Sequence, residues 1–409
     1  MSVNIVDALR DSSRPVFLFG CVPPRHQTSE KESLEICRKF VARGRVLALD
    51  GYIVYDVQDE SSRTDVKRPF PFRKLQDPSW FAGVLSEESM KQCIVYKAAP
   101  CVSSTEEFQR WLFECAERDG HTAVNIVGAP SSKVAHQGPS TKEACRMTRQ
   151  HSSLAFGCVS IAERHLKRGN EHEILMKKSE WGAEWFITQG IFNPEPTIRL
   201  LQDYSALCKQ KGTVPKKIIF TFTPCGRRKT MSFIKWLGMN VPEEIEKRIF
   251  ASLDENPEDE QVGNENNGEK KKKKKKKKRP PVEESCLIHC ENLKKILEGT
   301  IGCGVPIGLN VESVSGYRDE IDATHELFRA LQAILLDATG SPWVMTWSRM
   351  PWSPRRRATA TTIASTKPVD GKNVTTVAEP ALTVDQLFRY SSFLALGVVL
   401  GVTIVKARD

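Results

Sequence analysis

Eight short β-prone runs, each followed by a helical pattern, leave this chain few architectures to choose from. The runs are PVFLFGCV (15–22), VLALDGYIVYD (46–56), QCIVYKAA (92–99), TAVNIVG (122–128), LAFGCVSI (154–161), EWFITQGIF (184–192), KIIFTFT (217–223) and VPIGLNV (305–311). Between them lie amphipathic stretches such as 29–44, 104–120 and 195–212. In the second of these, Phe108, Leu112 and Cys115 share one face and Gly120 stops the helix. Near-continuous apolar strands that alternate with helices predict a parallel sheet covered on both sides. Eight such units over residues 1–337 predict a closed (β/α)8 TIM barrel of mixed α/β class. An open doubly wound sheet is the alternative, but no Gly-rich dinucleotide turn follows any run.

Two segments break this rhythm. Residues 254–283 pass from an acidic, Asn/Gly-rich block (DENPEDEQVGNENNGE) into Lys270–Arg279 and a Pro pair. Such blocks cannot bury a core and predict a disordered insertion inside the barrel. Lys270–Arg279 carries ten positive charges, the whole of the formal net charge of +10. No basic face is left over for specific nucleic-acid binding. A nuclear-import or anionic-surface role for the run and a plain solvated insertion both stay open.

Past 337 the chain turns Ser-, Thr- and Pro-rich (338–386), with Trp343, Trp347 and Trp352 beside Arg355, Arg356 and Arg357. LFRYSSFLALGVVLGVTIV (387–405) then gives nineteen residues, close to the roughly 20 that span a bilayer. With Arg389 able to snorkel and Tyr390 suited to the interface, this segment is expected to be a C-terminal transmembrane tail anchor. Gly397 and Gly401 would let two such helices approach closely, as in a homodimer. A terminal strand or helix packed on the barrel is the alternative.

Twelve cysteines without framework spacing, and an N-terminus with no apolar signal-peptide core, point to reduced thiols. The expectation is a protein that is not secreted, facing the cytosol and anchored to an organelle membrane by its tail. Cys286, His289 and Cys290 could share a helix face, but structural zinc takes four ligands, so they read as buried helix residues and no metal is expected.

In a TIM barrel the chemistry sits at the C-terminal ends of the strands. That rule selects Gly20, Cys21, Asp56, Tyr96, Lys97, Gly128, Ser160, Gln189, Thr221, Thr223, Asn310 and Glu312. The set is rich in amides, hydroxyls and glycine and holds only two carboxylates. It suits a flat ligand held by hydrogen bonds and stacking.

These rim residues lie within motifs of a known kind. FGCVPPR (19–25) resembles the first strand of the methylenetetrahydrofolate reductases, flavin enzymes that reduce methylenetetrahydrofolate to methyltetrahydrofolate. WGAEWFITQGIF (181–192) is similar to that family's Ala-Gly-Ala-Asp-x-Ile-Thr-Gln-x-Phe-Phe stretch, and 217–249 resembles its seventh strand, turn and following helix. The resemblance runs from about Pro15 to Leu336 and covers the catalytic barrel without a regulatory domain.

The resemblance implies FAD as cofactor, NAD(P)H as electron donor and a folate-like substrate, within one-carbon metabolism and methionine biosynthesis. It places Gln189 on the substrate and Gly128, His165 and Lys178 at the cofactor. It also exposes departures: the family's proton-donating glutamate is Gly20 here, its flavin-tuning aspartate is Ala129, the arginine of the same turn is Val127, and a tyrosine near the flavin is Ile161. The catalytic residue is therefore left unassigned. Two expectations follow: an FAD-dependent oxidoreductase with an altered acid, or a catalytically silent barrel serving as a membrane-tethered ligand-binding or scaffold protein.

Overall fold

The computed structural model describes residues 4–61, 64–130, 134–254 and 278–339. Eight parallel strands close into a barrel in chain order: β1 (Phe17–Cys21), β2 (Gly51–Val54), β3 (Cys93–Ala98), β4 (Ala123–Val127), β5 (Ala155–Ser160), β6 (Trp185–Gly190), β7 (Lys217–Phe222) and β8 (Ile307–Val311). Closure is made by β8 against β1, with Phe17 opposite Leu309 and Phe19 opposite Val311. This is the predicted (β/α)8 fold.

Helix α1 (Ile5–Arg10) precedes the barrel, and α2 (Glu30–Gly44), α3 (Pro78–Ser89), α4 (Thr105–Phe113) and α5 (Thr141–Arg149) follow the first four strands in turn. Two helices follow β5, α6 (Ala162–Arg168) and α7 (Glu171–Glu180), and α8 (Glu195–Lys211) follows β6. The β7–β8 connection holds α9 (Arg228–Trp236), α10 (Glu243–Phe250) and α11 (Pro281–Gly299), and α12 (Arg318–Ala338) closes the described chain.

Local chemistry sets these boundaries. Ser29 and Glu32 cap α2 reciprocally, and Ser140 and Glu143 do the same for α5. Asp77 accepts the Ser79 amide at the start of α3, with Pro78 in the first turn, where its missing N–H costs nothing. Gly212 ends α8 in the left-handed conformation, with φ of 63°.

Two expectations are corrected at their edges. The 46–56 run forms a strand only over Gly51–Val54, because Asp50 turns back to β1: its carboxylate accepts the Phe17 amide and its own amide donates to the Phe17 carbonyl. The insertion expected over 254–283 ends earlier, since α11 starts at Pro281, five residues before the helical pattern was read to begin. The rest of the insertion (255–277), the 338–386 linker beyond Thr339, the 387–405 tail and the Gly397/Gly401 pair lie outside the described residues. No helix of the described residues is long and apolar enough to cross a membrane.

The core has two main parts. One lies between the strands and the surrounding helices. The other fills the barrel itself with Val16, Leu18, Ile53, Ile94, Trp185, Ile187 and Ile219, and α1 plugs its floor with Ile5, Val6, Ala8 and Leu9. Each such apolar side chain stabilises the fold by about 1.5–3 kcal/mol. Gly157 makes room for Trp185 across the interior: a Cβ there would fall 2.1 Å from the indole Nε1. With its floor closed by α1, the barrel presents its strand ends at one open face.

Candidate functional site

Side chains alternate inward and outward along each strand. In β1 the inward row runs Val16, Leu18, Gly20; in β2 it runs Ile53, Tyr55; in β3, Ile94, Tyr96. At the C-terminal rim these rows bring Gly20, Tyr55 and Tyr96 beside Asn310 and Glu312 of β8 and its end. The two tyrosine rings meet edge to face, with centroids 4.7 Å apart. Asn310 Nδ2 donates to Tyr55 Oη at 2.8 Å and to Thr221 Oγ1 at 3.2 Å. The Tyr55 hydroxyl in turn lies beside the Glu312 carboxyl.

Burial dominates the electrostatics of this group. It raises the Glu312 carboxyl to about 7, with the neighbouring Tyr55 hydroxyl pulling the other way. Burial also pushes the Tyr55 and Tyr96 phenols well above their ordinary value. A carboxyl balanced near neutrality is able to hold or release a proton under physiological conditions. Deeper in the barrel, Asn125 is fully buried with neither of its amide atoms partnered.

Sequence reasoning did not single out Tyr55. The signal is present: Tyr55 is two residues past Ile53, on the inward parity, one position before Asp56. Several of the selected rim residues face outward instead. Asp56 accepts the Ala98 amide at 2.9 Å and the Gln58 amide, tying the end of β2 to the end of β3. Lys97 lies over the Trp111 ring, 4.8 Å from its centroid, and reaches Asp77. Cys21 packs against the core between strands and helices, and burial pushes its thiol well up. His289 is buried, with its Nε2 bonded to the Thr223 carbonyl at 2.8 Å.

Gln189 stands near the end of β6, half-buried, where a register shift between Ile187 and Gly190 re-aims the strand. Its Nε2 donates to the Leu237 carbonyl at 3.2 Å. Gly128 follows β4, and a Cβ there would lie 3.0 Å from Thr141 Oγ1. His165 lies in α6, just past the end of β5, and Lys178 lies in α7, buried alongside that strand. Lys178 Nζ donates to the Val159 carbonyl at 2.6 Å, and His165 Nε2 is bonded to Asp203 Oδ2 of α8 at 2.9 Å.

This β5 corner carries an unusual load of unpaired polar atoms. Ser160 Oγ, His165 Nδ1, Asn170 Oδ1, Glu171 Oε2 and His172 Nδ1 are all buried without a hydrogen-bond partner. Buried polar atoms in native proteins are nearly always partnered, by protein or by ordered water, so this corner has hydrogen-bonding capacity open to water or to a bound polar group. His165, His172 and Asp203 also bring one ligand-type atom each within 4.8 Å of one another. A cleft of about 400 Å³ at the opposite, N-terminal end of the barrel, lined by residues such as Arg149, Glu180 and Lys216, touches none of these groups.

No protein-family model and no curated protein matches the sequence. Among solved structures, the chain is similar to an uncharacterized protein from Clostridium thermocellum described as binding two copies of 5-methyl-5,6,7,8-tetrahydrofolic acid. The likeness has a TM-score of 0.63 at 25% identity and covers 81% of this chain and 98% of that one. Weaker likenesses include Leishmania donovani OMP decarboxylase (TM-score 0.39, 9% identity, 82% of this chain and 100% of that one). Another is 2,3-dimethylmalate lyase of the PEP mutase/isocitrate lyase superfamily (TM-score 0.37, 12% identity, 58% and 78%).

Proposed function

We propose that the chain binds a reduced folate at the mouth of its barrel and acts on it as an FAD-dependent oxidoreductase of the methylenetetrahydrofolate reductase type. The observation that carries this reading is the likeness, over nearly the whole of that protein, to a barrel described as binding 5-methyltetrahydrofolic acid. The mouth supports it chemically. Tyr55 and Tyr96 offer aromatic faces, and Gln189 and Asn310 offer donors and acceptors for the edge of a pterin.

The β5 corner fits a resident cofactor, because its unpaired buried atoms need polar partners. Gly128, His165 and Lys178 would hold FAD there, Lys178 supplying positive charge for a diphosphate. When bound, FAD supplies hydride chemistry to the substrate, with electrons drawn from NAD(P)H. The chain's own residues would orient the pterin through Gln189, exclude water with the two tyrosines and hold a proton at Glu312.

The full-length chain tests this directly. Purified protein should be yellow, bleach anaerobically with NADPH or NADH, and bind 5-methyltetrahydrofolate in calorimetry. Protein that binds no reduced folate sinks the reading. Colourless protein that binds folate but takes up no FAD supports instead the silent ligand-binding barrel, which the glycine at position 20 favours. Anchoring to an organelle membrane through 387–405 stays part of the proposal; a diffuse signal from a fluorescent reporter fused to that segment would end it.

A further inference from the structure

Position 20 has no side chain, yet the space beside it is full. A Cβ on Gly20 would lie 2.8 Å from Tyr55 Cε2, 3.1 Å from Tyr55 Oη and 3.1 Å from Glu312 Cβ. A side chain from the end of β1 and the pair now present therefore exclude one another. The pair is also held in place. Asn310 Nδ2, itself tied to Thr221 Oγ1, donates to the Tyr55 oxygen, which leaves the phenol hydrogen free to point to the neighbouring Glu312 carboxyl.

We propose, resting on the folate reading above, that Glu312 is the proton donor of this site, oriented by Tyr55 and placed at the end of β8 in the space that Gly20 leaves open. Its surroundings suit the role. The titratable groups facing it are Tyr55 beyond β2 and Tyr96 of β3, both kept neutral by burial. Among the described residues no cation pulls the carboxyl back down from its raised value.

The step balances as follows. Converting a methylene bridge between the N5 and N10 nitrogens of a reduced folate to an N5-methyl group adds one proton and one hydride. Glu312 gives its proton to N10 as the carbon–N10 bond breaks and is left as carboxylate. The electron pair that arrives on the carbon as hydride comes in the end from a reduced nicotinamide, which is oxidised. Solvent then reprotonates Glu312. Tyr55 is a positioning residue: it changes the orientation of the carboxyl and donates no proton in net.

Three measurements on the full-length chain test this. Infrared difference spectra recorded as pH falls through neutrality should show a protonated-carboxyl band that Glu312→Gln removes. Turnover of 5,10-methylenetetrahydrofolate with NADPH or NADH should fall by about 10²–10⁴ in Glu312→Gln, while calorimetry still detects 5-methyltetrahydrofolate binding. Glu312→Asp should retain part of the turnover, and Tyr55→Phe should shift its pH profile. A missing band in the wild type overturns the proposal, as does Glu312→Gln turnover within about threefold of wild type. Wild type that binds 5-methyltetrahydrofolate and shows the band but reduces nothing also overturns it. Wild type that binds no reduced folate overturns the folate reading instead, a result that calorimetry separates from the other three.

Discussion

Gly20 and Tyr55 share a space that only one of them can fill, since a Cβ at position 20 would meet the ring at 2.8 Å. Gly20→Ala therefore overpacks the rim, and such insertions typically cost about 1–3 kcal/mol. The loss should show as a lower urea midpoint with an unchanged slope. Adding Tyr55→Leu should recover part of it, giving a coupling of at least about 0.5 kcal/mol in a double-mutant cycle. Additive losses would mean that the strand, and not the ring, resists the substitution.

The raised Glu312 carboxyl ties stability to pH. Its value in the folded state, about 7, lies above the ordinary 4.5, so the folded protein holds more protons than the unfolded chain between those limits. The contribution is fully present below about pH 4.5 and is lost as pH rises to about 7, amounting to at most roughly 3 kcal/mol. Glu312→Gln cannot titrate. The difference in unfolding free energy between wild type and this variant should therefore move against the wild type across that window and level off above it. A flat difference would show that Glu312 titrates normally.

Much of this barrel is legible in the sequence, and the illegible parts have physical reasons. The eight strand runs are legible because a parallel strand buried on both faces must be almost wholly apolar. Gln189, Asn310 and Glu312 are placed near the rim by the same rule. What a run does not reveal is which way its last residue faces once regular pairing ends. The strand-end rule puts Asp56 and Lys97 at the rim, yet Asp56 caps the neighbouring strand and Lys97 lies on Trp111 in the helix layer. Tyr55 was passed over because nothing in one sequence shows that its ring fills the space beside a glycine thirty-five residues earlier. The partners of His165 and Lys178 were hidden for the same reason: Asp203 and the Val159 carbonyl meet them only through the fold.

Lys217 opens β7 at the barrel floor and is 3% exposed. Its ammonium donates to the carbonyls of Ala8, Asp11 and Arg14 at 2.6, 2.6 and 3.0 Å, fixing the segment that joins α1 to β1. Lys217→Met keeps the apolar stem but leaves these carbonyls without their shared donor. The expected loss is about 2–4 kcal/mol, since unpaired buried polar groups cost more than a hydrogen bond contributes. Chemical denaturation checks it. A loss below about 0.5 kcal/mol would mean that water replaces the ammonium and that α1 holds the floor by apolar contact alone.

Trp236 of α9 anchors the long connection between β2 and α3 across the open end of the barrel. Its indole Nε1 donates to the Val66 carbonyl at 2.9 Å, and the Arg68 guanidinium lies 5.1 Å from its ring centroid and 5.3 Å from that of Phe233. Phe70 adds an edge-to-face contact with Phe233 at 5.2 Å. These contacts join residues far apart in the chain, and each cation–π pair contributes about 0.5–2 kcal/mol. Trp236→Ala should free the connection locally before it unfolds the barrel. Amide exchange over residues 64–72 should rise at least about tenfold, with a smaller rise in the barrel strands. Because this connection lies at the same end as Tyr55 and Glu312, the proposed binding of 5-methyltetrahydrofolate should weaken several-fold as well. Unchanged exchange over 64–72 would show that the connection is held by its own turn structure and owes nothing to α9.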